Sequence, residues 1–248
     1  MLSVSDDRVA EDLAYRAGQL LLEVRGREVA DATELKALGD SVSHEFLMAA
    51  LAEQRPDDRV LSEEGKDDAR RLSADRVWIV DPLDGTREFS EAGRTDWAVH
   101  VALWERGVLT AGAVALPARG RTLSTVEPPS LPERKPGPIR LAVSRTRPPA
   151  LVQDLAARLG GELVAMGSAG VKAMAVLLGE VDAYVHGGGQ YEWDSAAPVA
   201  VARSAGLHTS RLDGSVLAYN RADPWLPDLL VCRPELAAEL IDVLATLT

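Results

Sequence analysis

The stretch VWIVDPLDGT, Val77 to Thr86, decides how the chain is read. Val77 to Val80 form an apolar run of the kind found in a strand buried on both faces. The run ends in Asp81, and Asp84 follows three positions later. Pro82 and Gly85 each stand directly after an acid and bend the backbone there. Two carboxylates delivered to one turn converge on one point. Left unpaired at close range they repel, and one would stay protonated. A divalent cation removes that conflict, and carboxylate, backbone carbonyl and water oxygens select Mg²⁺ or Ca²⁺. If a helical turn opens at Thr86, its free N–H groups face the same place, where a phosphate binds well. Metal, phosphate and hydroxyl together suggest metal-assisted phosphoester hydrolysis. Taken alone, Asp-x-x-Asp-Gly is equally a solvated turn. VLSEEG, Val60 to Gly65, repeats the pattern of an apolar strand ending in acids, and YEWDSAAP, Tyr191 to Pro198, sets Asp194 at a helix start. Their ordinary readings are a solvated loop for Glu63-Glu64 and an N-cap for Asp194.

Around this stretch the periodicity predicts an amphipathic helix over Ser5 to Arg25, with Val9, Leu13, Ala17, Leu20 and Val24 inward and Asp6 and Asp7 in its first turn. A second helix is expected from about Asp40 to Gln54, ended by Pro56-Asp57. Strands are expected at Arg59–Ser62, Val77–Val80, Trp97–Trp104, Val108–Leu116 and Arg121–Val126, with Glu105-Arg106-Gly107 as a hairpin signal. Glu127 to Pro138 holds Pro128, Pro129, Pro132, Pro136 and Pro138, which resist helix and central strand. Beyond it strands and helices alternate: Ile139–Val143, Pro149–Leu159, Leu163–Met166, Gly170–Leu178, Ala183–His186, Ser195–Ala205 and Leu229–Cys232, then a last helix opened by Pro234. We expect an α+β half over residues 1–126, a linker over 127–138 and an α/β half over 139–248.

Composition bounds the function. The 248 residues are 46% hydrophobic, enough for one large core or two small ones. A net charge of −11 argues against broad nucleic-acid binding, though a small anion meeting a local positive centre stays compatible with it. No apolar run approaches the ~20 residues of a membrane span, and MLSVSDD lacks the plan of a signal peptide. The single cysteine, Cys232, lies in an apolar run and reads as a core thiol. A soluble, cytoplasmic protein is expected.

DPLDGT, Asp81 to Thr86, together with WDSAA, Trp193 to Ala197, resembles the paired signature of the inositol monophosphatase superfamily, and Ser62-Glu63-Glu64 falls where that family carries a metal-binding glutamate. LSEE from Leu61, VSRT from Val143, GSAGVK from Gly167, WDSAAP from Trp193, LDG from Leu212 and LAYN from Leu217 look like the branch of bacterial 3′-phosphoadenosine 5′-phosphate (PAP) phosphatases, above all its actinobacterial members. The resemblance implies a layered α/β/α/β/α sandwich of the inositol monophosphatase and fructose-1,6-bisphosphatase type. The metals would lie in a cleft to which both halves contribute.

The resemblance also implies roles. Glu63, Asp81 and the Leu83 carbonyl would hold one Mg²⁺. Asp81, Asp84 and Asp194 would hold a second, and a weaker third would lean on Glu63. The metals would acidify a bound water and stabilise the leaving oxygen. Thr86, paired with an upstream acid, would orient the attacking water, and the Gly85 and Thr86 N–H groups would hold the phosphoryl oxygens. The family's Val-Thr-x-x-Asp is absent here. LKALGD, Leu35 to Asp40, stands instead, and Asp40 lies at the expected 23 positions before Glu63. Its ordinary reading is an N-cap.

For specificity, Ser144, Arg145, Ser168 and Lys172 are candidates to hold a second phosphate; as ordinary structure, Arg145 and Lys172 are solvated charges. Trp193 is read either as a base-stacking side chain or as core. His44, His100, His186 and His208 have no ligand-like spacing and read as ordinary histidines, and Gly187-Gly188-Gly189 reads as a loop.

The activity implied is Mg²⁺-dependent hydrolysis of PAP to AMP in sulfate assimilation, inhibited by Li⁺. Inositol-1-phosphate or fructose-1,6-bisphosphate phosphatase activity is the alternative, and a non-catalytic metal- or nucleotide-binding regulator is the rival from another class. The family includes dimers and monomers, so a homodimer stays open.

Overall fold

The structure is a computed structural model that describes residues 4–247. Helix α1 (Asp6–Arg25) buries Val9, Leu13, Ala17 and Val24 as its periodicity predicts, but Leu21 takes the place expected of Leu20, which is only half-buried. Helix α2 runs over Ala32–Gln54 and so begins eight positions before the expected start near Asp40. Its N-cap is Asp31, whose Oδ1 accepts from the N–H groups of Thr33 and Glu34, while Glu34 reaches back to the N–H of Ala30. Asp40 therefore sits mid-helix and caps nothing. Gly39, directly before the expected start, lies inside the helix. It is a packing residue, because a Cβ there would lie 2.7 Å from Phe89 Cε1 and 3.0 Å from Leu83 Cδ2.

The first sheet has the order β1 (Arg59–Ser62), β2 (Arg76–Asp84), β3 (Ala98–Glu105), β4 (Val108–Leu116), β5 (Arg121–Ser124). β1 lies parallel to β2, and the remaining pairs are antiparallel. Arg106 and Gly107 both take positive φ in the tight β3–β4 turn. β2 continues past the apolar run to Asp84, with a register shift between Asp81 and Asp84. The short helix α3 (Thr86–Ser90) follows at once.

The second sheet has the order β10 (His208–Ser210), β12 (Leu229–Cys232), β8 (Ala183–His186), β6 (Arg140–Ser144), β7 (Glu162–Met166). Helices α5 (Ala169–Leu177) and α6 (Glu192–Ser204) lie between the sheets. One core cluster joins Ile79 and Val114 of the first sheet, Met174 and Val199 of these helices, and Tyr184 and Val231 of the second. α1 and α2 cover the outer face of the first sheet. α4 (Ala150–Leu159) and α7 (Ala237–Leu244) cover the outer face of the second. The layers thus read α/β/α/β/α, as expected. A short turn of 3-10 helix over Pro234–Leu236 precedes α7, and β9 (Gln190–Tyr191) pairs with β11 (Trp225–Leu226) just before α6.

Polar side chains join the segments that carry acids. Arg71, fully buried, donates to Asp67, to Asn220 Oδ1 at 2.8 Å and to the Arg221 carbonyl at 2.9 Å. Glu192, at the start of α6, accepts from the N–H groups of Asn220 and Arg221 at 2.7 and 2.8 Å. The loop that follows Glu63 and the helix start that holds Asp194 are therefore tied through one buried guanidinium. Pro132 of the proline-rich segment accepts from Arg233 at 2.9 Å through its carbonyl, which pins that crossing to the surface. Cys232 is free and buried, as expected, and burial pushes its thiol up to about 12.

Candidate metal centre and substrate cavity

Four segments converge where β2 ends. The turn is held from behind by Ser43 of α2, whose hydroxyl donates to the Pro82 carbonyl at 2.7 Å. Gly85 takes φ +88°, and a Cβ there would meet the Asp96 carbonyl and the Ser168 side chain at 3.1 Å, so the turn needs glycine. Asp81, Asp84 and Asp194 come together with ligand oxygens all within 4.8 Å of one another. Asp81 is 1% exposed and Asp84 7% exposed, so these are like charges taken out of water.

The environment pushes their ionisation apart. Burial, then Glu63 and the other two aspartates, raises Asp81 well above the usual carboxylate range. Burial and then Asp84 raise Asp194 to about 6. Glu63 is exposed and stands outside the three-acid cluster, and desolvation followed by Asp194 raises it to about 7. Asp84 goes the other way. Burial alone would raise it, but His100, Ser168 and the Gly170 N–H outweigh that and hold it down to about 2. Hard oxygen donors only, in a buried set that resists full ionisation by itself, fit a divalent cation.

Asp194 is not the N-cap of α6, which is Tyr191, but the N3 residue whose carboxylate reaches back to that cap. It lies in the first turn of α6, and its Oδ2 accepts from the Tyr191 N–H at 2.7 Å. Thr86 places its hydroxyl 3.1 Å from the Leu83 carbonyl, to which it donates, and 3.5 Å from Asp40 Oδ1. Burial and then Glu64 raise Asp40 to about 6. Ser168 turns to the metal cluster, where its hydroxyl donates to Asp84 and accepts from the Val171 N–H. The N–H groups of Ala169 and Gly170 also donate to Asp84, at 3.1 and 2.7 Å. Asp84 thus closes the N-terminus of α5.

His100 is the neighbour of the acid cluster that its spacing in the sequence hid. It is fully buried and stands opposite Asp81 in the β2–β3 register. Its Nδ1 lies 3.0 Å from the Trp193 carbonyl and its Nε2 3.2 Å from Asp84 Oδ2. Nδ1 is hydrogen-bonded to the Trp193 carbonyl, while Nε2 stands close to the Asp84 carboxylate without a well-aligned hydrogen bond. Burial would lower its pKa, but Asp84 and the Trp193 carbonyl outweigh burial and raise it. One polar residue inside the apolar run Trp97–Trp104 was the available signal. The glycines of GSAG make room for this arrangement: a Cβ at Gly170 would lie 2.0 Å from His100 Nε2, and one at Gly167 2.3 Å from Glu88.

The cluster opens into a cavity of about 700 Å³ lined by Asp84, Asp194, Ser144, Arg147, Lys172 and Tyr184, among others. Lys172 is 7% exposed, with Nζ 5.3 Å from the centroid of the Tyr184 ring. Among the described residues its ammonium has no hydrogen-bond or ion-pair acceptor, and burial lowers its pKa. Arg145 is committed elsewhere: it donates to Glu88 at 2.8 Å and to Glu91 at 2.9 Å. Trp193 stacks on Tyr191 at 4.7 Å and packs against the core. A hollow of about 790 Å³ lies away from this chemistry, between α1 and the β4–β5 edge.

A family model described as the inositol monophosphatase family matches residues 5–131 and 133–246. The chain belongs to the inositol monophosphatase family, as its motifs implied. It is 52% identical over 256 aligned positions to the 3′-phosphoadenosine 5′-phosphate phosphatase of Mycobacterium leprae (strain TN), covering 97% of this chain and 94% of that relative. It is 29% identical over 238 positions to the 3′(2′),5′-bisphosphate nucleotidase CysQ of Escherichia coli (strain K12), covering 89% and 96%. Among solved structures, CysQ from Bacteroides thetaiotaomicron, described as a bacterial member of the inositol monophosphatase family, matches with a TM-score of 0.82 at 27% identity, covering 92% of this chain and 97% of that one. Among the described residues no helix is long and apolar enough to cross a membrane.

Proposed function

We propose that the protein is a Mg²⁺-dependent phosphatase that removes the 3′-phosphate of PAP to give AMP and phosphate, in sulfate assimilation. One observation carries the reading: a buried three-acid cluster opens into the same cavity as a buried, unpaired lysine. The acids suit a cation and its phosphoryl group, and the lysine suits a second anion on the same ligand. The 52% identity to a relative named for PAP hydrolysis supports the substrate.

Glu63, Asp81, the Leu83 carbonyl, Asp84 and Asp194 would hold two to three Mg²⁺. When bound, these ions supply positive charge to the phosphoryl group and lower the pKa of water. The residues of the chain do the rest. Asp40, raised to about 6, is poised to accept a proton near neutrality, and the Thr86 hydroxyl beside it orients the attacking water. The Gly85 and Thr86 N–H groups face the phosphoryl oxygens. Lys172 meets the second phosphate, and Ser144 and Ser168 line its approach. Residues 1–126 and 139–248, joined by 127–138, act as one unit because Glu63 and Asp194 come from different halves. A cytoplasmic location belongs to the same reading.

The test is phosphate release from PAP, inositol 1-phosphate and fructose 1,6-bisphosphate, with Mg²⁺ and with added Li⁺. Preference for PAP, lost with Li⁺, is expected. Preference for inositol 1-phosphate would overturn the substrate, and no release from any of the three would overturn the enzyme reading.

A further inference from the structure

We propose that His44 is a positioning residue for the Glu63–Glu64 turn, which it holds through Ser62; the proposal rests on the reading of Glu63 as a metal ligand given above. The other acids of the site have firm support. Asp81 and Asp84 stand on β2, which is paired on both sides, and Asp194 is bonded to the Tyr191 N–H. Glu63 differs. It follows β1, a four-residue strand at the edge of its sheet that pairs with β2 alone. Beyond that strand the main-chain bonds are long. The Glu63 N–H donates to the Val80 carbonyl at 3.4 Å, and the Gly65 N–H donates to the Ser62 carbonyl at 3.3 Å. Both exceed the usual N–H···O range. Backbone support by itself leaves this turn loose.

Helix α2 supplies what the strand lacks. Asp40, Ser43 and His44 stand at i, i+3 and i+4 and share one face of the helix. Each addresses a different segment of the site. The Asp40 carboxylate lies beside the Thr86 hydroxyl, the Ser43 hydroxyl donates to the Pro82 carbonyl, and His44 Nδ1 lies 3.1 Å from Ser62 Oγ. Ser62 is buried, so water does not compete for that bond. A hydroxyl can donate or accept, so the bond persists in either tautomer of the ring.

The ring also packs on the far side of the turn. A Cβ at Gly65 would lie 3.4 Å from His44 Cε1. One imidazole therefore meets both ends of Ser62-Glu63-Glu64-Gly65, with Glu63 between them. α2 is itself fixed, by Gly39 against Phe89 and Leu83 and by the buried Leu47 and Leu51. His44 touches no reacting atom. It transmits the rigidity of the helix to a carboxylate whose own strand provides little, and its loss leaves the Ser62 hydroxyl buried without a partner.

The experiment compares wild type, His44→Ala, His44→Asn, Ser62→Ala and the double variant, with Glu63→Gln as a control. In the metal-free protein, hydrogen exchange over residues 61–66 should speed up about 10-fold in His44→Ala, while the β3 amides keep their wild-type protection. Calorimetric Mg²⁺ affinity should fall about 10- to 100-fold. His44→Asn, whose amide can take the place of Nδ1, should recover part of both. Adding His44→Ala to Ser62→Ala should change little further, because the two side chains act as one unit. Unchanged exchange over 61–66 or an unchanged Mg²⁺ affinity in His44→Ala overturns the proposal. An equal speeding of exchange in β3 also overturns it, since His44 would then be a general packing residue. If Glu63→Gln weakens Mg²⁺ binding and His44→Ala does not, only the role of His44 fails. If Glu63→Gln leaves Mg²⁺ binding unchanged, the ligand reading of Glu63 fails and takes this proposal with it.

Discussion

At the residue scale, burial overrides the ordinary chemistry of the groups at the candidate site. Asp84 is the clearest case, because it belongs to the three-acid cluster and also closes the N-terminus of α5. Asp84→Asn should abolish Mg²⁺-dependent phosphate release while leaving the far-UV circular dichroism intact; near-normal turnover would remove it from the cluster. His100 stands against Asp84 from the opposite side and was not legible as a neighbour of the acid cluster, since its partners come from β2 and α6 rather than from its own segment. Groups that orient metal ligands typically contribute 10- to 100-fold to metal affinity. Replacing His100 with Ala should weaken Mg²⁺ binding, read by titration calorimetry, by about that factor. An unchanged affinity would reduce it to a core residue.

At the element scale, close approach decides the architecture. α2 can press on α3 only because Gly39 has no side chain. Gly39→Ala forces Phe89 and Leu83 to move and should cost about 1–3 kcal/mol of stability in urea unfolding; a stabilised variant would show that the contact is slack. The start of α2 is misplaced nearby when read from the sequence: Asp40 reads as its cap, and the true cap, Asp31 with Glu34 three positions on, lies nine residues earlier. β2, by contrast, was readable because four consecutive apolar residues buried on both faces leave few alternatives. The short β9, β10 and β11 were not, because strands of two or three residues carry no periodicity of their own.

At the scale of the whole molecule, two couplings join distant segments. Arg71 ties the loop after Glu63 to the Asn220–Arg221 turn and so to Glu192 of α6. Arg71→Met leaves the carbonyls and Glu192 without that organiser and should cost about 3 kcal/mol in denaturant unfolding; a neutral result would make the tie dispensable.

The second coupling is electrostatic. Glu63, Asp81 and Asp194 have pKa values raised in the folded state, so between about pH 4 and 7 the folded chain binds protons that the unfolded chain has lost. Their contribution to stability therefore falls as pH rises through that window. Asp84 acts in the opposite sense, but only below its ordinary pKa. A divalent cation bound by these acids would replace those protons. The rise in melting temperature produced by Mg²⁺ should be larger at pH 8 than at pH 5, and an equal rise at both would mean that the acids do not share one cation site.

The sequence by itself determined the acids, their order and the α/β class, because apolar runs that end in carboxylates and alternating strands and helices are local patterns; the layer order followed only from the family resemblance. Tertiary structure alone decided which polar groups meet. His100 faces Asp84 and Trp193, Ser168 bonds Asp84, and Arg145 is consumed by Glu88 and Glu91. Each of these outcomes depends on distances between segments far apart in the chain. Residue spacing does not encode those distances; sheet register and helix packing do.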